Sequence, residues 1–367
     1  MQVVFLNQCC ILGYDRLFFS LSLFISIKFL QMNTEVAPLS ERITPKEHSP
    51  LVLKMTRQKG QVVFIWGESC CGQKKDGPQT APQRVCSEEF LAVVRSLGWK
   101  LSIARAPQVF KPSPKIVEKG VNCYEPFSVF ATCENVRQKV AAAHDAGAFP
   151  MLVGGDHCLA MGSIAASLER QPNLGVIWFD AHADINTPLT SPSGNMHGMP
   201  LAALMNLRDI QKAPGFEHRY PILKPERVAY IGLRDVDDGE KRLINEMGLS
   251  CAFNMDDLKR YGMKELVKQV LKKLCPTGTE PIHLSFDVDG MDPAEAPSTG
   301  TPVADGVRLH EALEMIQYIR ATGCLYSMDV VEVNPSLGTE EDAEVTITNA
   351  QLVMAHTLGY TTTKAKL

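Results

Sequence analysis

From about residue 60 onward, short apolar runs alternate with stretches of helical periodicity. Runs at 61–66 (QVVFIW), 149–153 (FPMLV), 175–179 (GVIWF), 227–231 (RVAYI), 282–286 (IHLSF) and 324–328 (CLYSM) read as strands buried on both faces. Helical spacing covers 87–97, 134–146, 160–170, 238–247, 263–274 and 308–321, and Gly147 supplies a stop after the second. Strands alternating with helices predict a mostly parallel central sheet with right-handed crossovers and helices on both faces, a three-layer αβα sandwich. Ligands of such sheets bind outside the carboxyl ends of the strands. The unusual polar clusters of this chain all fall there.

The first 58 residues break the pattern. Residues 17–27 (LFFSLSLFISI) are apolar but too short to span a bilayer, which needs about 20 residues. The first fifteen residues lack Lys and Arg, and no small-residue cleavage site follows. Residues 32–58 are polar and Pro-containing, like a linker. Residues 1–58 are therefore expected to be a leader, and 59–367 a single catalytic domain. No stable membrane insertion is expected. The expected compartment is cytoplasmic, or mitochondrial or secretory if the apolar run is a targeting segment.

Composition narrows the function. A net charge of −4 gives no basis for nucleic-acid or anionic-membrane binding. Eleven cysteines, an odd number, have neither a C-x-x-C pair nor structural-zinc spacing, and read as thiols of a reducing compartment. The adjacent Cys70 and Cys71 lie in a loop after the first strand.

Two motifs carry the chemistry. In an extended chain, Asp180-Ala-His182-Ala-Asp184 aims two carboxylates and an imidazole to one side, and Asp287-Val-Asp289 adds two carboxylates at another strand end. Four Asp at one edge repel unless cations neutralise them. Strand 149–153 runs into Gly154-Gly-Asp-His157, which delivers a second imidazole. Two His and four Asp without a thiolate suit octahedral cations such as Mn²⁺ better than tetrahedral zinc. Six side chains are more than one catalytic ion needs, and fit two ions sharing carboxylates. The chemistry of such a pair is hydrolysis. No G-x-G-x-x-G loop or serine elbow competes with it.

Together, Gly154-Gly-Asp-His157, Asp180-Ala-His-Ala-Asp184 and Ser285-Phe-Asp-Val-Asp289 resemble the signatures of the ureohydrolases, binuclear manganese enzymes that cleave guanidino groups. Asp184-Ile-Asn-Thr-Pro188, Ser193-Gly-Asn-Met-His-Gly198 and Glu332-Val-Asn-Pro-Ser-Leu-Gly338 resemble the arginase branch in particular. The resemblance implies the arginase/deacetylase-like sandwich and hydrolysis of L-arginine to L-ornithine and urea by a metal-bridging hydroxide. It implies one Mn²⁺ on His157, Asp180, Asp184 and Asp287, and a second on Asp180, His182, Asp287 and Asp289. Asp184 would also orient the nucleophile, His197 relay protons, Glu332 pair with the guanidinium, and Thr301 place a hydroxyl near the metals. Asn186, Ser193 and Asn195 would serve the α-carboxylate, and Asp237 and Glu240 the α-ammonium. A homo-oligomer, typically a trimer, is implied as well.

The chain departs from the family pattern at three places. Ser191-Pro192 stands where Thr is common, which alters one expected carboxylate contact. Glu68-Ser-Cys-Cys-Gly-Gln-Lys-Lys-Asp76 lacks the usual Gly-Gly character. The tail 361–367 is short for the cross-subunit contact of many animal arginases, which weakens the trimer expectation.

Overall fold

The computed structural model describes residues 60–113, 120–216 and 220–361, so the predicted leader lies outside the described residues. Eight strands form one sheet: β1 (Gln61–Glu68), β2 (Lys100–Pro107), β3 (Phe149–Val153), β4 (Gly175–Phe179), β5 (Val228–Leu233), β6 (Ala252–Asn254), β7 (Ile282–Asp287) and β8 (Leu325–Val331). Their order is β2-β1-β3-β8-β7-β4-β5-β6, and every pairing is parallel. The helices are α1 (Ala81–Val85), α2 (Glu88–Ser96), α3 (Pro126–Asp145), α4 (Ala160–Arg170), α5 (Pro200–Leu204), α6 (Asp238–Glu246), α7 (Met255–Tyr261), α8 (Met263–Leu274), α9 (Leu309–Ala321) and α10 (Glu340–Thr357). They pack in two groups, α3–α4–α5 in one and α1–α2–α10–α9–α8 in the other, which gives the expected three layers.

The central strands are apolar because both of their faces are covered. Every residue of β4, β5 and β7 is buried. Edge strand β2 (KLSIARAP) is half exposed, with only Ala106 buried, and its mixed character concealed it in the sequence. Three-residue β6 was hidden by its length.

Three boundaries differ from expectation in ways that matter to function. Strand β8 runs to Val331, so Asp329 is a buried strand residue and Glu332 is the first residue beyond the strand. Helix α3 begins at Pro126, well ahead of residue 134, with proline at its first turn where no N–H is required. Helix α10 was not predicted. Its Val345-Thr-Ile-Thr348 run has β-like propensity, but a Thr339/Asp342 capping box and burial against α9, α1 and α2 hold it helical. Among the described residues no helix is long and apolar enough to cross a membrane.

Candidate metal centre

The site lies where β3, β4, β7 and β8 end. After β3, Gly154 and Gly155 both have φ near +80°, and a Cβ on either would collide with Pro82, Leu159 or the Gly67 carbonyl. This double bend presents His157 at the head of a short 3₁₀ turn capped by Asp156. The His157 ring stacks on Trp178 of β4 at 4.0 Å, and its Nε2 meets Ser285 Oγ of β7 at 2.9 Å. That contact fixes the ring and leaves Nδ1 facing the cluster.

The carboxylates converge on Nδ1, though not by the expected route. Residues 180–182 form a bend and 183–187 are irregular chain, not strand, so strand alternation does not align them. Asp184 instead adopts φ +48°, a left-handed conformation uncommon for Asp, and this swings its carboxylate back. Asp287 is the last residue of β7, and a 3₁₀ turn over Val288–Gly290 brings Asp289 round. As a result His157 Nδ1 lies 3.0 Å from Asp180, 3.1 Å from Asp184 and 3.1 Å from Asp287. His182 Nδ1 lies 3.3 Å from both Asp180 and Asp289, with its Nε2 3.8 Å from Asp235. Two ligand groups result, His157/Asp180/Asp287 and Asp180/His182/Asp289, and they share Asp180.

This arrangement fits a pair of cations. Buried His157 Nδ1 has no hydrogen-bond partner despite three carboxylate neighbours, as a metal-directed lone pair would. Electrostatics agree. Burial and repulsion from Asp180 push Asp184 up to about 6, and burial with repulsion from Asp289 and Asp180 raises Asp287 as well. Burial opposes charge on His157, but Asp180, Asp184 and Asp287 outweigh it and raise its pKa. The protein alone must hold protons here to limit repulsion, and divalent ions remove that need. Thr301 donates its hydroxyl to Asp289 at 2.9 Å and so reaches the second group.

Glu332 and His197 form the next layer. Glu332 has φ +63° and is almost fully buried. It accepts from the His157 N–H at 2.9 Å and from Gln73 Nε2 at 3.1 Å, and it meets His197 Nδ1 at 2.8 Å. Burial works against charge on His197, yet Glu332 and then Asp184 carry it up to about 9. Burial likewise opposes ionised Glu332, and His197 holds its pKa down. The two shifts describe one ion pair. Gln73 escaped the sequence reading because it sits in the loop that departs from the family pattern. Ser285 lay inside a quoted motif, but nothing in the sequence connected it to His157.

The remaining predicted residues line a cleft of about 240 Å³ over the metal groups: Asn186, Ser193, Asn195, Asp237 and Glu240. Several also have structural tasks. Asn186 donates to Asp237 at 2.8 Å and accepts from Thr190, so it ties its loop to the start of α6. Glu240 accepts from the Asp237 and Ile185 N–H groups as part of a capping box. Burial and nearby Asp184 lift Glu240 to about 8. Ser191 accepts from Gly194 N–H, and Ser193 from Asn195 N–H. Asn195 alone presents a buried amide oxygen with no partner.

The arginase family profile matches residues 63–359. The chain is 37% identical over 317 residues to "Arginase-2, mitochondrial" of Rattus norvegicus, covering 86% of this chain and 89% of that protein. It superposes on the Bacillus caldovelox arginase with a TM-score of 0.74 at 30% identity, covering 83% of this chain and all of that one. An Entamoeba histolytica arginase solved with L-ornithine superposes with a TM-score of 0.72 at 32% identity, again over 83% of this chain and all of that one.

Proposed function

The chain belongs to the arginase family, enzymes that hydrolyse arginine at a binuclear metal site, and we propose that it does so with two Mn²⁺ ions and the residues named above. The observation that carries the assignment of ligands is the orphaned His157 Nδ1 among three carboxylates, beside a second group that shares Asp180. His157, Asp180, Asp184 and Asp287 would hold one ion, and Asp180, His182, Asp287 and Asp289 the other. Their oxygen-rich donor set without a thiolate suits Mn²⁺. When bound, the ion pair supplies a nucleophile of hydroxide strength near neutral pH.

The protein's own groups do the rest. Glu332 lies in the layer behind the metal groups, where its carboxylate can pair with the planar N–H fork of a guanidinium. It must then share its charge between that fork and His197. Asp184, held by its left-handed backbone, faces the nucleophile and can accept its proton. His197 lines the cleft and is partly exposed, so it can carry a proton between the reacting centre and water. Water adds to the guanidinium carbon, the bond from that carbon to the side-chain nitrogen breaks, and both protons of the water end on the departing nitrogen, which leaves as an ammonium. L-ornithine and urea are the products.

Selectivity comes from the rim. Asn195, through its amide N–H donors, and Ser193 face the α-carboxylate in this reading, while Asp237 and Glu240 face the α-ammonium. Agmatine lacks the carboxylate and would leave these groups unsatisfied. The test is kcat/KM for L-arginine against agmatine. A preference for arginine of about a hundredfold or more is expected, and equal turnover would remove the rim assignment. The same reading makes residues 59–367 one catalytic domain and the protein a homo-oligomer, which sedimentation velocity would check.

A further inference from the structure

At the opposite end of the strands from the metal groups, two thiols meet. Cys275 caps the C-terminus of α8, and Cys324 directly precedes β8. Their sulfurs are 3.3 Å apart. A covalent S–S bond is about 2.05 Å, so they need to close by only about 1.2 Å. Among the described cysteines, this pair is in sulfur-to-sulfur contact.

The surroundings favour linkage. Cys275 lies in a turn whose Gly278 has φ +77°, with nothing within 4 Å of where its Cβ would be, so the turn has room to adjust. Cys324 is half-buried and in contact with the Gly278 carbonyl at 3.1 Å, so solutes reach it. Cys275 is buried behind it. One thiol open to attack and a second waiting within contact are the two parts of thiol–disulfide exchange.

We propose that Cys275 and Cys324 are a modification site for low-molecular-weight disulfides such as oxidised glutathione, which convert them to an intramolecular disulfide. The Cys324 thiolate attacks one sulfur of the small disulfide and expels one thiolate. Cys275, giving up its proton, then attacks the Cys324 sulfur of the mixed disulfide and expels the second. Two protein thiols become one S–S bond, and one small disulfide becomes two small thiols. The closed loop spans residues 275–324 and contains β7, both carboxylates of Asp287 and Asp289, and Thr301. The cross-link therefore restrains the unfolded segment that supplies these ligands, without touching the cleft.

Burial, reinforced by Cys324, pushes the Cys275 thiol up to about 12, so the second step is slow near neutral pH and quicker in mild base. The test is to incubate the purified full chain with oxidised glutathione, quench in acid, alkylate under denaturing conditions and map peptides without reduction. A Cys275–Cys324 linked peptide is expected, with a rise in Tm of about 5 °C that dithiothreitol reverses and that Cys324→Ser abolishes. Urea release should be retained. Full alkylation of both cysteines, a persistent glutathione adduct on Cys324, or a disulfide between other cysteines in their place would overturn the proposal.

Discussion

Strands β7 and β8 end in opposite kinds of environment. At their carboxyl ends, Asp287 and Asp289 crowd against Asp180 and Asp184, while Glu332 departs from β8 in a left-handed conformation. Toward their middle and amino ends, His283 of β7 meets Ser327 and Asp329 of β8 at 2.7 and 2.9 Å. Asp329 also accepts from Ser163 and Ser285, and Ser327 meets Ser167, which meets His144 of α3. In this lower region most polar atoms have a neutral or opposite partner within the protein. In the upper region they have like-charged neighbours and strained backbone. Strain and repulsion concentrated at one end of otherwise well-satisfied strands mark where a ligand completes the structure. Here that ligand is cationic.

The contrast can be broken first at the shared carboxylates. Asp180→Ala or Asp287→Ala should reduce turnover by at least about a thousandfold and abolish retention of both metals, as read by urea assay and elemental analysis. Next is the proton path. His197→Asn should cost about a hundredfold in kcat while both metals stay bound, and unchanged turnover would remove the relay role alone. Gln73→Ala should lower kcat by about tenfold without metal loss, because it loosens the carboxylate of Glu332 and not a ligand. The smallest effect lies in the lower network. Burial, helped by Arg170 and then His283, presses His144 down to about 4 while it stacks on Tyr326. Its folded pKa is thus below the ordinary value of about 6.5, so the unfolded chain binds the proton more readily. Its contribution is complete above pH 6.5 and is lost as pH falls toward 4. His144→Phe should flatten the fall of Tm over that window by about 2 °C, with no change in kcat.

The sequence was most legible where chemistry and position coincide. His157, Asp180, His182, Asp184, Asp287 and Asp289 stand next to apolar runs too regular to be anything but buried strands, so their convergence could be read from topology. The manner of convergence could not. The bend at 180–182 and positive φ at Asp184 and Glu332 are imposed by tertiary contacts that no local pattern records. Edge strand β2 and helix α10 were missed because partial exposure blurs alternation in one and β-branched residues disguise the other. Supporting residues such as Ser285, Asp329 and Gln73 were hidden for a further reason. A serine or glutamine that orients a neighbour differs from any other only by what folds against it. The rim was legible in part. Asn186 and Glu240 were read as substrate contacts, and the structure also commits them to capping α6 and fastening its loop.

The central claim is that two cations on a shared carboxylate make this site work. Its most direct test is to titrate Mn²⁺ into chelator-stripped protein and follow urea release from L-arginine against metal bound per chain. The account predicts no turnover without metal and activity that saturates at two ions per chain. Full activity in the stripped protein, or saturation at one ion, would contradict it.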